Sequence, residues 1–158
     1  MSASPGILRV TPLTAARLDD VVAIERASFS DPWSREMFRS EITLLDGSYA
    51  RVAVQEGAVV GYLLAVMVVD EAHLGNLAVH PGHRRSGVAQ RLLDDLLETC
   101  LRSAVKRVTL EVRESNEPAR KFYYRNGFID VAIRKNYYRH PVEDAIVMLK
   151  TLPEGPIA

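Results

Sequence analysis

What the chain lacks narrows the field first. Its 158 residues include one cysteine, Cys100, so no intramolecular disulfide can form, which suits a reducing compartment. There is no surplus of either charge, since 20 Lys+Arg stand against 20 Asp+Glu. A protein that grips nucleic acid through its phosphates carries a basic excess, so direct nucleic-acid binding is not expected. No apolar run suits a membrane either. The most apolar stretch, residues 58–69, is short and contains Gly61, whereas a spanning helix needs ~20 apolar residues. The opening MSASPGILRV has no basic segment followed by an apolar one, so no secretory signal is expected. These absences predict a cytoplasmic protein with no membrane partner. A chain of this length buries roughly 68–70% of its unfolded surface, so it needs no metal or disulfide staple.

What is present reads as one domain over residues 7–150, with 1–6 and the Pro- and Gly-containing 151–158 as flexible tails. Residues 7–11 read as a strand. Leu18, Val21, Val22 and Phe29 fall near helical spacing. Ser30-Asp31-Pro32-Trp33-Ser34 breaks that helix, and Ser34 can cap a second one reaching about Leu44. Residues 49–54 and 58–69 form a hairpin across Gln55-Glu56-Gly57, Asp70-Glu71 makes the next turn, and 73–79 adds a third strand. Val88, Leu92, Leu93, Leu96, Leu97, Cys100 and Leu101 then trace an apolar helical stripe. A strand over 107–112 follows. Next comes a helix from about Glu117, capped by Asn116 and closed by Gly127. Residues 128–138 and 144–149 are the final strands. This order predicts a single mixed α/β sheet flanked by helices.

The sharpest local feature is Arg84-Arg85-Ser86-Gly87-Val88-Ala89, set between a strand and the strongest helix. Small residues at 87 and 89 let the backbone approach a ligand, and the first free N–H groups of the helix favour an anion. The same turn could simply join strand to helix, with its arginines in solvent. It is neither a Walker loop nor a Gly-x-Gly-x-x-Gly dinucleotide turn. His80-x-x-His83 has no Cys, Asp or Glu constellation nearby, so no metal is expected. Cys100 falls on the buried stripe and reads as a core residue, not a nucleophile.

Taken in order, these motifs resemble the GNAT acetyltransferase superfamily. The 84–89 loop is similar to its Arg/Gln-x-x-Gly-x-Gly/Ala signature. Asn76-Leu77-Ala78-Val79 stands where that superfamily has a bulged strand. Leu110-Glu111-Val112-Arg113-Glu114-Ser115-Asn116 and Tyr123-Tyr124-Arg125-Asn126-Gly127-Phe128 look like its later motif. Asp31-Pro32-Trp33-Ser34, Arg134-x-Asn136-Tyr137-Tyr138 and Glu143-Asp144-Ala145 are similar to the RimI-type branch, which acetylates protein N-termini. The resemblance covers roughly residues 7–150.

The resemblance implies a mostly antiparallel sheet with a V-shaped opening between the 73–79 and 107–112 strands, occupied by acetyl-CoA. It implies that backbone groups at Leu77, Ala78 and Val79 hold the thioester carbonyl. The pyrophosphate would lie on the amides of Arg85, Ser86, Gly87, Val88, Ala89 and Gln90, with Asn116 also touching the cosubstrate. Arg84, Arg85 and Arg91 could neutralise its phosphates. It further implies that the acceptor is the N-terminal alanine of a small-subunit ribosomal protein, beside Trp33, Tyr137 and Tyr138, with Glu143 and Asp144 favouring a basic second residue. Another protein N-terminus, a lysine or a small amine is the alternative acceptor, and a noncatalytic acyl-CoA-binding module is the alternative class.

The chemistry asks for few groups. An α-amine has a pKa of about 7.7–8.0 against about 10.4 for lysine, so an N-terminal acceptor needs only a modest base. The resemblance makes Glu111 that candidate base. Its apolar strand predicts a raised pKa through burial, although alternation with Leu110 also allows it to face solvent. The resemblance, through the pattern Tyr-x-x-x-Gly-Phe, makes Tyr123 the candidate acid for the departing thiolate, and a phenol near ~10 is matched to a thiol near ~8.5. Tyr124 is rotated about 100° from it on the helix, so only one of the pair can face the cleft, and the same resemblance leaves Tyr124 to pack or lie at the surface. Direct transfer within a ternary complex is expected, with no acyl-cysteine step.

Overall fold

The structure, a computed structural model, describes residues 6–44 and 46–154. Its elements are β1 (Arg9–Pro12), α1 (Leu18–Ser28), α2 (Arg35–Leu44), β2 (Ser48–Gln55), β3 (Ala58–Val68), β4 (Glu71–Val79), α3 (Val88–Arg102), β5 (Arg107–Arg113), α4 (Glu117–Arg125), β6 (Ile129–Tyr138) and β7 (Glu143–Thr151). Local chemistry accounts for several boundaries. Ser34 Oγ accepts the Met37 N–H at the start of α2, and Asn116 Oδ1 accepts the Ala119 N–H at the start of α4. The β2–β3 hairpin turns on Glu56 (φ 52°) and Gly57 (φ 80°), the left-handed pair that matches strand twist.

The β3–β4 turn falls one residue earlier than the sequence suggests. Val68 pairs with Glu71, so Val69-Asp70 is the turn and β4 begins at Glu71 rather than at 73. Phe29 lies just beyond α1 and is exposed, as is Leu101 near the end of α3. The apolar stripes of both helices are therefore shorter than their spacing implies. Of the expected tails, residues 1–5 and 155–158 lie outside the described residues. Thr151 belongs to β7, while Leu152 is buried and donates its N–H to the Lys106 carbonyl.

The strands form one seven-stranded sheet in the order β1-β2-β3-β4-β5-β7-β6. Every pairing is antiparallel except β4 with β5. The sheet is the middle of three layers. On one face α3 lays Leu92, Leu93, Leu96 and Cys100 against Leu63, Leu74 and Leu110, with Tyr123 of α4 and Phe128 joining them. On the other face Leu18, Val21 and Ile24 of α1 and Phe38 of α2 pack on Val52, Tyr62 and Leu64. A fully buried aliphatic side chain contributes about 1.5–3 kcal/mol, which holds α3 in place far more firmly than its intrinsic propensity does. Gly61 permits this approach. A Cβ there would stand 2.9 Å from Val88 Cγ1 at the first turn of α3.

Candidate active site

The site begins where the sheet divides. β4 and β5 pair in parallel from Glu71–Arg107 only as far as Leu74–Leu110. Beyond that point β4 continues against β3 alone, and β5 against β7 alone. The β3–β4 register shifts between Leu64/Ala65, where Leu64 faces Asn76 and Ala65 faces Leu74, so Gly75 is the extra residue of a β-bulge. The bulge turns the backbone of residues 76–79 away from β5 and leaves an opening between the strands. A cavity of about 470 Å³ occupies that opening, lined among others by Glu25, Trp33, Leu77, Glu111, Asn116, Tyr123, Tyr137 and Tyr138.

Strand alternation decides what faces the cavity. Ala72, Leu74, Leu110 and Val112 point into the core beneath α3. His73 and Glu111 therefore point to the opposite face, side by side on neighbouring strands. His73 Nε2 lies 2.5 Å from Glu111 Oε2, and Arg134 Nη2 from β6 lies 3.7 Å from Glu111 Oε1. The Glu111 side chain is only 11% exposed and that of His73 47%.

This environment corrects the electrostatic expectation for Glu111. Burial does push its pKa up, but the hydrogen bond from His73, with the charges of His73 and Arg134, outweighs burial and holds the carboxyl below its ordinary value. The same bond holds the His73 imidazole above its ordinary value. Tyr123 is corrected too. It is 7% exposed, and burial, reinforced by Tyr138, pushes its phenol well above 10. The phenol keeps its proton, but the near-match to a thiol that an ordinary phenol offers is gone.

At the other end of the opening, β4 runs through the turn Pro81–His83 into α3. Gly87 caps α3 with φ 84°, and a Cβ there would meet nothing within 4 Å. The first intrahelical bond is Arg91 N–H to the Gly87 carbonyl, so the amides of Val88, Ala89 and Gln90 precede the helical ladder. Amides ahead of the ladder and open space over a left-handed glycine fit a phosphate-bearing ligand.

Several side chains at this end are committed elsewhere. Arg84 donates from Nε to the Val79 carbonyl and from Nη2 to Ser28 Oγ, tying the loop to α1 rather than reaching for a phosphate. Arg91 Nη1 reaches the Leu8 carbonyl. The Gln90 amide exchanges hydrogen bonds with the Asn126 amide, bridging α3 to the end of α4. His80 Nδ1 accepts the Gly82 N–H and so closes a turn. Cys100 is a core thiol, raised to about 11 by burial.

The side of the cavity expected to receive an acceptor is built from two loops. Arg113 crosses between them, donating to Glu143 Oε1, to the Pro141 carbonyl and to Ser30 Oγ, while lying 4.4 Å over the Tyr138 ring. Tyr137 meets Tyr138 edge-on at 5.0 Å. Tyr124 faces outward and donates to Asp130. Glu143 and Asp144 do not serve this surface as expected. Glu143 accepts the Ser115 N–H and the Arg113 guanidinium, and Asp144 accepts the Asn136 N–H. Both are held below the usual carboxylate range by those donors, so they brace the loops instead of binding a basic residue.

Two residues of the site have no place in the sequence reading. Glu25 is 1% exposed, yet it gathers three donors: the Tyr62 hydroxyl, Asn76 Nδ2 at 3.1 Å and the Trp33 N–H at 2.9 Å. It thereby ties the Trp33 loop to the β4 bulge. A carboxylate at the next position of the Leu18, Val21, Val22 stripe was the available signal. His73 carried none, because its partner lies 38 residues away and only the parallel pairing of β4 and β5 brings them together.

Comparison with known proteins agrees with this geometry. Residues 18–128 match the Acetyltransferase (GNAT) family. The chain is 33% identical over 142 residues to ribosomal protein bS18-alanine N-acetyltransferase of Escherichia coli (strain K12), across 88% of this chain and 94% of that protein. It is 34% identical over 132 residues to the protein of the same name from Haemophilus ducreyi, across 79% and 87%. The crystal structure of the ribosomal-protein-S18-alanine N-acetyltransferase from Escherichia coli superposes with a TM-score of 0.87 at 30% identity, covering 95% of this chain and 97% of that one. The chain belongs to the GNAT acetyltransferase family and is an acyltransferase.

Proposed function

We propose that the enzyme transfers an acetyl group from acetyl-CoA to the N-terminal alanine of a small-subunit ribosomal protein, directly within a ternary complex. The observation that carries this reading is the parted pair of strands. Its two sides bring a carboxylate, Glu111, and a protonated phenol, Tyr123, to one cavity that opens beside an aromatic acceptor surface. The similarity to the bS18-alanine N-acetyltransferases across nearly the whole chain supports the substrate.

Acetyl-CoA supplies an activated thioester. The amides of residues 85–90 suit its pyrophosphate, and with Arg84 engaged in the loop, Arg85 is left to meet a phosphate. The backbone of Leu77, Ala78 and Val79, unpaired toward β5, suits the thioester carbonyl. Asn116 is occupied as a helix cap through Oδ1, which leaves its Nδ2 for the same ligand. Trp33, Tyr137 and Tyr138 hold the acceptor chain, and the carboxylates of Asp31 and Glu111 favour its cationic terminus. Glu111 takes the proton from the α-ammonium, and Tyr123 protonates the leaving sulfur.

Intact-mass analysis of candidate proteins after incubation with acetyl-CoA, with the modified residue located, tests the reading. One acetyl group on an N-terminal alanine is expected, with peptides beginning Ala-Arg preferred over lysine peptides and polyamines. Turnover confined to polyamines would overturn the acceptor assignment. E111Q and Y123F should each lower turnover by about 10²–10⁴-fold, the usual contribution of a positioned acid or base, with acetyl-CoA binding nearly unchanged.

A further inference from the structure

Arg113 ends β5 and lines the cavity, yet its guanidinium is engaged by other parts of the chain. Nη1 donates to the Pro141 carbonyl at 3.0 Å and to Glu143 Oε1 at 3.1 Å, and Nη2 reaches Ser30 Oγ at 3.5 Å. The face of the same group lies 4.4 Å over the Tyr138 ring. Glu143 is fixed in turn, because its other oxygen accepts the Ser115 N–H at 2.6 Å. The side chains of Arg113 and Glu143 are 19% and 18% exposed, so the pair is largely sheltered from water and from salt.

The hairpin that Arg113 touches has little else to hold it. β6 is the edge strand of the sheet, with β7 as its one neighbour. Its register with β7 is irregular between Arg134 and Tyr138, and Tyr138 facing Glu143 is the last pair before the loop. Strand pairing therefore fixes this end weakly, and the guanidinium supplies the missing constraint. Arginine suits the task. A planar fork can stack by its face while its edge donates to several acceptors, whereas an ammonium on a flexible stem offers only a point charge.

We propose that Arg113 is a positioning residue for the acceptor. By clamping the β6–β7 hairpin to the end of β5 and to Ser30, it fixes the wall of Tyr137 and Tyr138 along which the acceptor chain lies. The inference rests on the reading of that wall as the acceptor side. Its effect is selective by geometry. The clamped segments border one end of the opening, while the amides of residues 88–90 stand at the other, where β4 runs into α3. A loosened clamp is thus felt by the acceptor and not by acetyl-CoA.

R113K is the discriminating variant, since it keeps the charge and loses the fork. KM for a peptide beginning Ala-Arg should rise about 10–100-fold, the scale of lost hydrogen bonds to a charged group. With both substrates saturating, kcat should stay close to wild type, as expected when binding is lost and chemistry is not. Acetyl-CoA affinity by calorimetry should be unchanged. E143Q should raise the peptide KM in the same way, and the double variant should be no worse than the poorer single one, because the two side chains act as a unit. Trp33 is the chain's only tryptophan and stands three residues past Ser30, so its quenching by acrylamide reads the loop without any substrate. R113K should increase that quenching. A wild-type peptide KM in R113K would overturn the proposal, and so would additive effects of the two substitutions, unchanged Trp33 quenching, or an equal loss of acetyl-CoA affinity. If intact-mass analysis finds a different amine acetylated, the acceptor reading falls by that result. The KM comparison then runs on that amine, and the Trp33 measurement tests the clamp independently.

Discussion

The two halves of β4 make an instructive contrast. Residues 71–74 have a hydrogen-bonded neighbour on each side, β3 on one and β5 on the other. Residues 76–79, past the bulge at Gly75, have β3 alone. The first half behaves as a central strand, with Ala72 and Leu74 sealed in the core. The second half exposes backbone along an opening, and the side chains that matter there are held by networks instead of by packing. A strand can therefore be scaffold at one end and binding surface at the other, with one extra residue marking the boundary. Substitutions in the first half should act on stability, and those around the second half on binding and rate.

Leu110→Ala should have the largest effect. Leu110 is 1% exposed and forms the last parallel pair with Leu74. Its truncation should cost about 2–5 kcal/mol in urea denaturation, with acetyl-CoA affinity of the folded fraction preserved. A mutant of normal stability would show that the region where β4 and β5 pair is not the scaffold it is taken to be. Next comes Glu25→Gln. One oxygen of a carboxylate that serves three donors becomes a donor itself, so about 1–3 kcal/mol should be lost, together with a higher KM for the acceptor peptide. A stability loss with unchanged peptide KM would show that Glu25 supports the fold without positioning the Trp33 loop.

Gly87→Ala should follow. The left-handed backbone there costs an alanine about 1–2 kcal/mol, and the added methyl enters open space at the turn proposed to hold the pyrophosphate. Weaker acetyl-CoA binding by calorimetry is expected, and unchanged affinity would detach that turn from the cosubstrate. The smallest effect is pH-dependent. The folded state lowers the pKa of Glu111, which adds stability above the ordinary carboxyl pKa and loses it as pH falls through the lowered value. It raises the pKa of His73, which adds stability below the ordinary imidazole pKa and loses it as pH rises through the raised value. The pair thus contributes most between about pH 4.5 and 6.5. The thermal stability difference between wild type and E111Q should be greatest there and shrink by pH 9.

Much of the frame was legible in the residues. The α3 stripe, the Asn116 cap and the Glu56-Gly57 hairpin are local chemistry, and local chemistry is what a linear pattern records. The parallel pairing, the strand separation and the roles of Glu111 and Tyr123 came from resemblance, since no spacing along the chain states which strands are neighbours. Electrostatics failed where the partner was distant. The apolar neighbours of Glu111 in sequence argued for a raised pKa, but its neighbours in space are an imidazole and a guanidinium. Glu143 and Asp144 misled for the same reason, because their donors at Ser115 and Asn136 become visible only in the folded loops.

The reciprocal amide bridge between Gln90 and Asn126 has a consequence for the shape of the opening. Gln90 stands at the start of the helix that follows one parted strand, and Asn126 closes the helix that follows the other. Joined in this way, the two helices act as a caliper with its screw tightened, fixing the gauge of the gap between them. The spacing of the two helices is then held by a pair of amides at one end of the opening, and not by the strands, which have already parted there.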